Sequence, residues 1–357
     1  MKRRQIAIIL SGFPRRSETF ALAEVSALDD HGLVAAVFST KLGESGVAQP
    51  DVRRLTPRVH MLSGGPDAQA AEAACFLEGT AIAGVHAYFA HTPAEVGAAL
   101  ARSLGVPFGF SVHARDARKI AREELHRRAR GAACVVACNA DVARELDGSG
   151  ARVRIVPHGV DLDRFRPGRP ASRPGFRLLA VGRLVEKKGF HVLLGALAAV
   201  PLAWRLRIVG DGPERERLAS QARTLGIADR VSFGGAMTHD ALPSEYSHAD
   251  AVVVPSVLDR SGDRDGLPNV VLEAMASGVA IIASDMGAIP SAIRDGDTGV
   301  LVPAGDGSAL AAALTRVGRD PELRVSLGAS ARAAAERRFD VRRCTSRLAT
   351  VLREAYA

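Results

Sequence analysis

Short apolar runs alternate with amphipathic stretches on both sides of a Pro/Gly/Ser-rich break at residues 166–175. That pattern predicts an α/β protein made of two doubly wound parallel-sheet domains. The length agrees: 357 residues, at roughly 150 per domain, is two domains. A third observation is that several glycine-bearing loops directly follow the strand-like runs, at Gly12, Gly182, Gly210 and Gly266. Ligands of such sheets collect outside the carboxyl ends of the strands.

The elements follow in order. Residues 5–10 read as a strand. The preceding Met1-Lys2-Arg3-Arg4 resembles the start of a signal peptide, but the apolar run is short and Ser11-Gly12-Phe13-Pro14 breaks it at once, so a core strand is the better reading. Residues 17–29 form a helix, with Ser17 as N-cap and Phe20, Ala23 and Ala27 on one face. Strands are predicted at 34–39, 86–90, 108–112, 132–137 and 153–156, and helices at 68–78, 93–104, 120–129 and 140–146. Pro93 suits a first helical turn. Residues 40–66 read only as loop. Beyond the break, strands are expected at 176–181, 204–209, 231–233, 251–255, 279–283 and 300–302, and helices at 190–200 and 214–225. Residues 308–357 read as Ala/Arg-rich helix, whose end packs back on the first domain. The domains are therefore 1–165 and 176–338, joined by a linker at 166–175, with 339–357 as the returning helix.

Composition excludes several classes. No run reaches about 18 apolar residues, the length of a spanning helix. Cys75, Cys134, Cys138 and Cys344 fit neither a disulfide framework nor a zinc spacing. They read as buried free thiols, which favours a reducing, cytoplasmic setting. The net charge of +8 suits anionic ligands or an anionic membrane surface, although an Arg-rich genome explains it equally. Aromatics are few and interleave with no basic stripe, so nucleic acid is not a partner.

Chemistry concentrates in residues 259–284. After the strand at 251–255 comes a Gly/Asp-rich loop, then a helix with Val270, Val271, Ala274 and Met275 on its apolar face, stopped by Gly278. Gly266-Leu267-Pro268-Asn269 sits at the helix N-terminus, where backbone N–H groups and the positive dipole end favour phosphate. Glu273, one turn inside, is placed to reach a sugar hydroxyl beside that phosphate; the alternative is a loop that binds nothing and a solvated Glu273. In the loop at 181–190, Arg183 offers a bidentate fork and Lys188 a point charge for the same diphosphate, unless both are merely exposed. Gly210-Asp211-Gly212-Pro213 lines the same edge. His113 stands at the end of another strand, with Arg115 and Asp116 beside it. Asp161/Asp163 and Asp295/Asp297 read as turn chemistry. Asp263/Asp265 lies in the key loop and has the form of a cation pair, but Arg183 and Lys188 already supply the positive charge that a metal would bring.

These stretches together resemble the retaining glycosyltransferases of family 4, over nearly the whole chain. In the first half the resemblance rests on Phe13-Pro14-Arg15-Arg16-Ser17-Glu18-Thr19-Phe20, His86-Ala87-Tyr88-Phe89-Ala90-His91, Ser111-Val112-His113-Ala114-Arg115-Asp116 and Val156-Pro157-His158-Gly159-Val160-Asp161. In the second it rests on Val181-Gly182-Arg183-Leu184, Lys187-Lys188-Gly189, Val254-Pro255-Ser256 and the run from Gly266 through Glu273 to Ala276. The resemblance implies a GT-B fold of two Rossmann-like domains facing a cleft, the first binding acceptor and the second nucleotide-sugar donor. A Glu-x7-Glu motif would end at Glu273, the ribose ligand, and begin at Asp265, the donor-sugar contact, here one methylene shorter than the family Glu. Arg183, Lys188 and the Gly266-Leu267-Pro268-Asn269 loop, through the amides of Gly266, Leu267 and Asn269, would hold the diphosphate, Gly12 would lie near it, and His113 would lie near the transferred sugar.

The implied reaction moves a hexose or N-acetylhexosamine from a nucleotide-diphosphate sugar to a hydroxyl of a glycan, lipid-linked or small natural-product acceptor. A UDP-sugar is the first expectation and a GDP-sugar the next. Configuration is retained, and neither a metal nor another cofactor takes part. The first-half motifs look most like bacterial enzymes of exopolysaccharide, colanic-acid-like assembly. Asp265 in place of Glu leaves an alternative, a non-catalytic partner subunit that binds nucleotide sugar or a true enzyme. Lys119, Arg122, Arg127, Arg128 and Arg130 offer either a peripheral contact with the inner membrane face or a plain solvated helix face.

Overall fold

A computed structural model describes residues 5–15, 18–44, 50–168 and 175–357. They fall into two compact units, Met1–Gly159 with Val341–Ala357, and Val160–Asp340. The expected N-cap Ser17 and most of the 166–175 break lie outside the described residues.

The first unit is built on β1 (Ile6–Leu10), β2 (Val34–Ser39), β3 (Val59–Met61), β4 (Gly84–Ala87), β5 (Phe108–Val112), β6 (Cys134–Ala137) and β7 (Val153–Ile155). All pairs are parallel, in the order β3-β2-β1-β4-β5-β6-β7. Helices α1 (Thr19–Asp30), α2 (Pro50–Leu55), α3 (Pro66–Phe76), α4 (Thr92–Leu104), α5 (Ala114–Lys119), α6 (Arg122–Arg130) and α7 (Ala140–Arg144) accompany the strands. β1 is buried at every residue, as a central parallel strand must be. Ala7 and Ile9 join one core with Phe38, Leu100 and Phe110, while Ile6 and Ile8 join the other with Val25 and Leu28 of α1.

The second unit holds β8 (Phe176–Val181), β9 (Trp204–Val209), β10 (Val231–Phe233), β11 (Ala251–Val254), β12 (Ala280–Ser284) and β13 (Val300–Val302), again parallel, in the order β10-β9-β8-β11-β12-β13. Its helices are α8 (Phe190–Ala198), α9 (Arg215–Thr224), α10 (Leu242–Ser247), α11 (Asn269–Ala276), α12 (Ile289–Ala292), α13 (Gly307–Arg319) and α14 (Pro321–Arg338). In both sheets the strand order reverses direction at one place, between β1 and β4 and between β8 and β11. Those are the switch points at which a doubly wound sheet opens a crevice.

The chain returns to the first unit in α15 (Val341–Ala355), whose Leu348, Ala349 and Leu352 enter the core beside α1. Tyr356 completes the contact. A Cβ at Gly84 would lie 2.2 Å from the Tyr356 ring, and one at Gly109 would lie 2.6 Å from its hydroxyl. The two glycines in adjacent strands are thus the slot for one tyrosine. Its hydroxyl donates to the Val85 carbonyl (3.0 Å) and accepts from His86 Nδ1 (2.9 Å). Burial pushes the His86 imidazole down to about 3, so it stays neutral there.

Several expectations are corrected. The strand expected at 86–90 is Gly84–Ala87; Tyr88, Phe89 and Ala90 are apolar because the loop they form is itself buried. The stretch 40–66 carries α2 and the edge strand β3, too short to show periodicity. The run 308–357 is three helices. The side chains of Asp306 and Asp320 cap the first two, each accepting from first-turn amides. The helix expected at 120–129 begins at Arg122 and is preceded by α5. Cys134, Cys138 and Cys344 are buried free thiols, whereas Cys75 is exposed. Among the described residues, no helix is long and apolar enough to cross a membrane.

Candidate functional site

The loops after β8 and β11 flank the switch point of the second sheet. After β8 the chain makes a 3-10 turn at Glu186–Lys188 and then starts α8 at Phe190. Gly189 between them has φ +66°, and a Cβ there would lie 1.8 Å from the Pro255 carbonyl oxygen. Only glycine permits that approach, which seats Lys187 and Lys188 against the loop after β11. Lys188 Nζ lies 2.8 Å from Asp265 Oδ2, and Lys187 Nζ lies 2.8 Å from Asp263 Oδ2 and 3.8 Å from Asp265 Oδ1. The Ser256 hydroxyl also donates to Asp265 Oδ2 at 2.9 Å. Burial alone would raise the Asp265 carboxyl, but Lys188, Lys187 and Ser256 outweigh it and hold it below the usual carboxylate range. Arg183 is exposed and, among the described residues, has no side-chain partner.

The loop then enters α11. Pro268, extended at φ −65° and ψ 136°, precedes Asn269, and no side chain caps the helix start. Gly266 gives its carbonyl to the Ala288 amide at 3.2 Å, and Leu267 packs against the core. Val271, Leu272 and Met275 are buried, worth roughly 1.5–3 kcal/mol each, and this burial fixes the direction of the helix. Glu273 is buried too, at 6% exposure, so the solvated alternative fails. Its oxygens meet Tyr246 Oη at 2.7 Å and His239 Nε2 at 3.2 Å. The structure therefore places Lys188, Asp265, Ser256, Glu273 and the α11 start in one unit, with Arg183 exposed in the same loop as Lys188.

In the first unit His113 ends β5 and precedes α5. Its ring is boxed by Phe20 (4.8 Å), Phe89 (5.0 Å) and His158 (5.2 Å, stacked at 17°). Nδ1 is buried without a partner. Burial, followed by the charge of His158, holds the imidazole well below the ordinary histidine range. His158 behaves oppositely. Burial would lower it, but Glu24, whose Oε1 lies 2.7 Å from Nδ1, and Cys138 push it up to about 10. A cavity of about 10 Å³, enough for about one water, adjoins His113, Glu24, Ser111 and His158. Gly12 follows β1, and a Cβ there would lie 3.4 Å from both the Leu42 carbonyl oxygen and Lys41 Cγ. The side chains of Arg115, Asp116 and Lys119 lie outside what is described.

Other candidates resolve into structure. Asp161 accepts from the Asp163 and Arg164 amides, and Asp295 from the Leu301 amide, which is turn chemistry. Arg128 is a tie rather than a surface charge: it donates to the Ala90 and His91 carbonyls and pairs with Glu95 and Glu124. A cavity of about 250 Å³ lies lower on the second sheet, away from these loops. Three of its four arginines are engaged, Arg177 with Asp250, Arg207 with Glu245 and Arg230 over the Trp204 ring. Sequence reasoning missed Tyr246, His239 and Glu24, which carry no motif signal.

Residues 17–164 match the family model described as Glycosyltransferase Family 4, and residues 163–334 the one described as Glycosyl transferases group 1. The chain is 35% identical over 199 residues to the GDP-mannose-dependent alpha-(1-6)-phosphatidylinositol monomannoside mannosyltransferase of Mycobacterium tuberculosis, covering 52% of this chain and 51% of that one. It is 32% identical over 207 residues to a Salmonella typhimurium protein described as a colanic acid biosynthesis glycosyltransferase, covering 56% and 51%. The chain thus spans about half the length of these curated relatives. The crystal structure of Anabaena Alr3699/HepE in complex with UDP has a TM-score of 0.82 at 20% identity, over 98% of this chain and 100% of that one, a likeness of fold. With two consecutive family models spanning residues 17–334 and a pair of parallel sheets of the GT-B type, the chain belongs to glycosyltransferase family 4, among the group 1 glycosyltransferases.

Proposed function

We propose that the chain is a retaining glycosyltransferase that moves a hexose or N-acetylhexosamine from a nucleotide-diphosphate sugar to a hydroxyl acceptor, without a metal ion. The observation that carries this reading is the gathering of Lys188, Asp265 and Glu273 with the uncapped start of α11 at one switch point. Glu273 takes the ribose, while Lys188, Arg183 and the α11 amides take the diphosphate. As the glycosidic bond breaks, negative charge grows on the departing diphosphate, and these groups stabilise it in place. Asp265, beside Lys188, faces the donor sugar. His113 serves as a neutral hydrogen-bonding group toward the same sugar. The acceptor attacks on the face the diphosphate leaves, and its proton passes to the leaving phosphate.

UDP-sugars are the first donor class to try and GDP-sugars the second, the latter supported by the GDP-mannose-dependent relative. The acceptor is a glycan, a lipid-linked precursor or a small natural product, handled at or near the cytoplasmic membrane face. The test is a panel of UDP-, GDP-, ADP- and dTDP-sugars without acceptor, read by melting shift and by nucleotide release in mass spectrometry. One donor that stabilises the protein and is slowly hydrolysed supports the reading. A donor that binds but is never turned over, with any acceptor, favours the non-catalytic partner. Trapping of a covalent glycosyl-enzyme in pre-steady-state experiments would overturn the same-face step.

A further inference from the structure

Glu273 is held by two residues that no motif includes, one of them braced by a third. Tyr246, in α10, donates its hydroxyl to Oε2 at 2.7 Å. Burial, then the Glu273 charge, raises the Tyr246 phenol well above its ordinary range, so its O–H remains a donor. At the other oxygen, His239 Nε2 lies 3.2 Å from Oε1, and on the far side of the ring Arg164 Nη1 lies 2.7 Å from His239 Nδ1. A guanidinium only donates. Nδ1 is therefore the accepting nitrogen, the ring proton sits on Nε2, and it is donated to Glu273. Arg164 is itself steadied by Asp240 at 3.7 Å and Asp161 at 3.9 Å. Phe165 stands edge-on to both rings, 5.2 Å from His239 and 5.6 Å from Tyr246. Each carboxylate oxygen thus accepts one bond from the protein. A carboxylate has about four lone-pair sites, so one remains on each oxygen for an outside donor. Two neighbouring hydroxyls match that pair of acceptors.

We propose that His239, Tyr246 and Arg164 are positioning residues that aim both oxygens of Glu273 at the vicinal hydroxyls of a ribose, so that the site selects ribonucleotides over their deoxy counterparts. This rests on the reading of Glu273 as the ribose ligand. A site built to bond a hydroxyl rejects the analogue that lacks it, because its own polar groups are then left unpaired.

The test is calorimetric titration of the full chain with uridine, guanosine and adenosine diphosphates and their 2′-deoxy and 2′,3′-dideoxy forms. The wild type should prefer the ribonucleotide by roughly 100-fold. His239→Phe keeps the ring against Phe165 and loses the bond, so the preference should fall about 10-fold; Tyr246→Phe should do the same. Arg164→Met releases Nδ1 and should cost about 3-fold in preference. Affinity lost equally for ribo and deoxy forms, with the ratio unchanged in all three variants, would mean a merely structural role and would overturn the proposal. So would a wild type that does not discriminate. A wild type that binds no nucleotide at all would instead fail the donor reading. In that case the ¹⁵N spectrum of His239 still decides the hydrogen-bond arrangement, since a proton on Nδ1 would contradict it.

Discussion

Glu24 in the first unit and Asp265 in the second are both buried acids beside a basic partner, yet the two pairs are set differently. Glu24 and His158 are closed in by Phe20, and His158 is stacked on His113. The result is a fixed positive charge that, after burial, is the second cause keeping its neighbour His113 uncharged. Lys188 and Asp265 meet instead between two loops, and Arg183, in the first of them, is exposed. On the proposed reading, an incoming diphosphate would replace or share the Asp265 contact, so Lys188 would change partner without ever lying buried and unpaired. The contrast is one of location: an ion pair inside an aromatic box serves the fold, and the proposed function gives the one at the sheet's switch point to a ligand.

The largest effect should come from breaking the second pair. Lys188→Ala should lower kcat by at least about 100-fold, the usual worth of one electrostatic contact to a charge that develops in the transition state. Glu273→Ala should act mainly on the donor KM. Steady-state kinetics with the identified donor separates the two. Near-normal turnover in the Lys188 variant would remove the phosphate site from this loop and leave the pair a purely structural one.

Both units were legible in part. The strands at Phe176–Val181, Trp204–Val209 and Val231–Phe233 were predicted to the residue, as were Val34–Ser39 and Phe108–Val112 in the first unit, because each is a short, mostly apolar run. The α11 loop was legible because Asp265 and Glu273 lie close in sequence. Tyr246 and His239 were not, since their partner Glu273 is 27 and 34 residues away and α10 is a short helix without a repeat. The Tyr356 slot is the clearest case. Gly84 and Gly109 look like weak strand residues until a tyrosine more than 240 residues later fills the space both leave. Contacts of that span have no periodicity to betray them.

A smaller and different effect is expected from the first pair, on stability. The folded value of His158 is raised to about 10 from an ordinary 6.5. Below about pH 6.5 both folded and unfolded forms carry the proton, and the pair's contribution is fully present. Between there and about 10 only the folded form keeps it, so stability declines as pH rises through that window and the contribution is gone above it. Glu24→Gln keeps an acceptor for Nδ1 but removes the charge. It should cost on the order of a few kcal/mol near pH 6 and flatten the decline between pH 7 and 10. Denaturant titrations at a series of pH values read this directly. A variant with the wild-type pH slope would show that the charge of Glu24 is not what holds the His158 proton.

The smallest effect expected is that of removing divalent cations, and it bears on the second pair again. Asp263 and Asp265 have the spacing of a cation pair, but each carboxylate has a lysine amine 2.8 Å away. A divalent ion entering between them would have to displace two ammonium groups. On the proposed reading, the lysines carry the charge such an ion would bring to a diphosphate. Turnover should therefore change less than about 2-fold in EDTA. Asp263→Ala should lower it less than about 3-fold, because the Lys187–Asp263 pair is partly exposed and pairs of that kind are worth about 1 kcal/mol or less. Activity lost in EDTA and restored by magnesium or manganese would reverse the assignment. Asp263 and Asp265 would then hold the ion, and Lys187 and Lys188 would be the groups that occupy its place at rest.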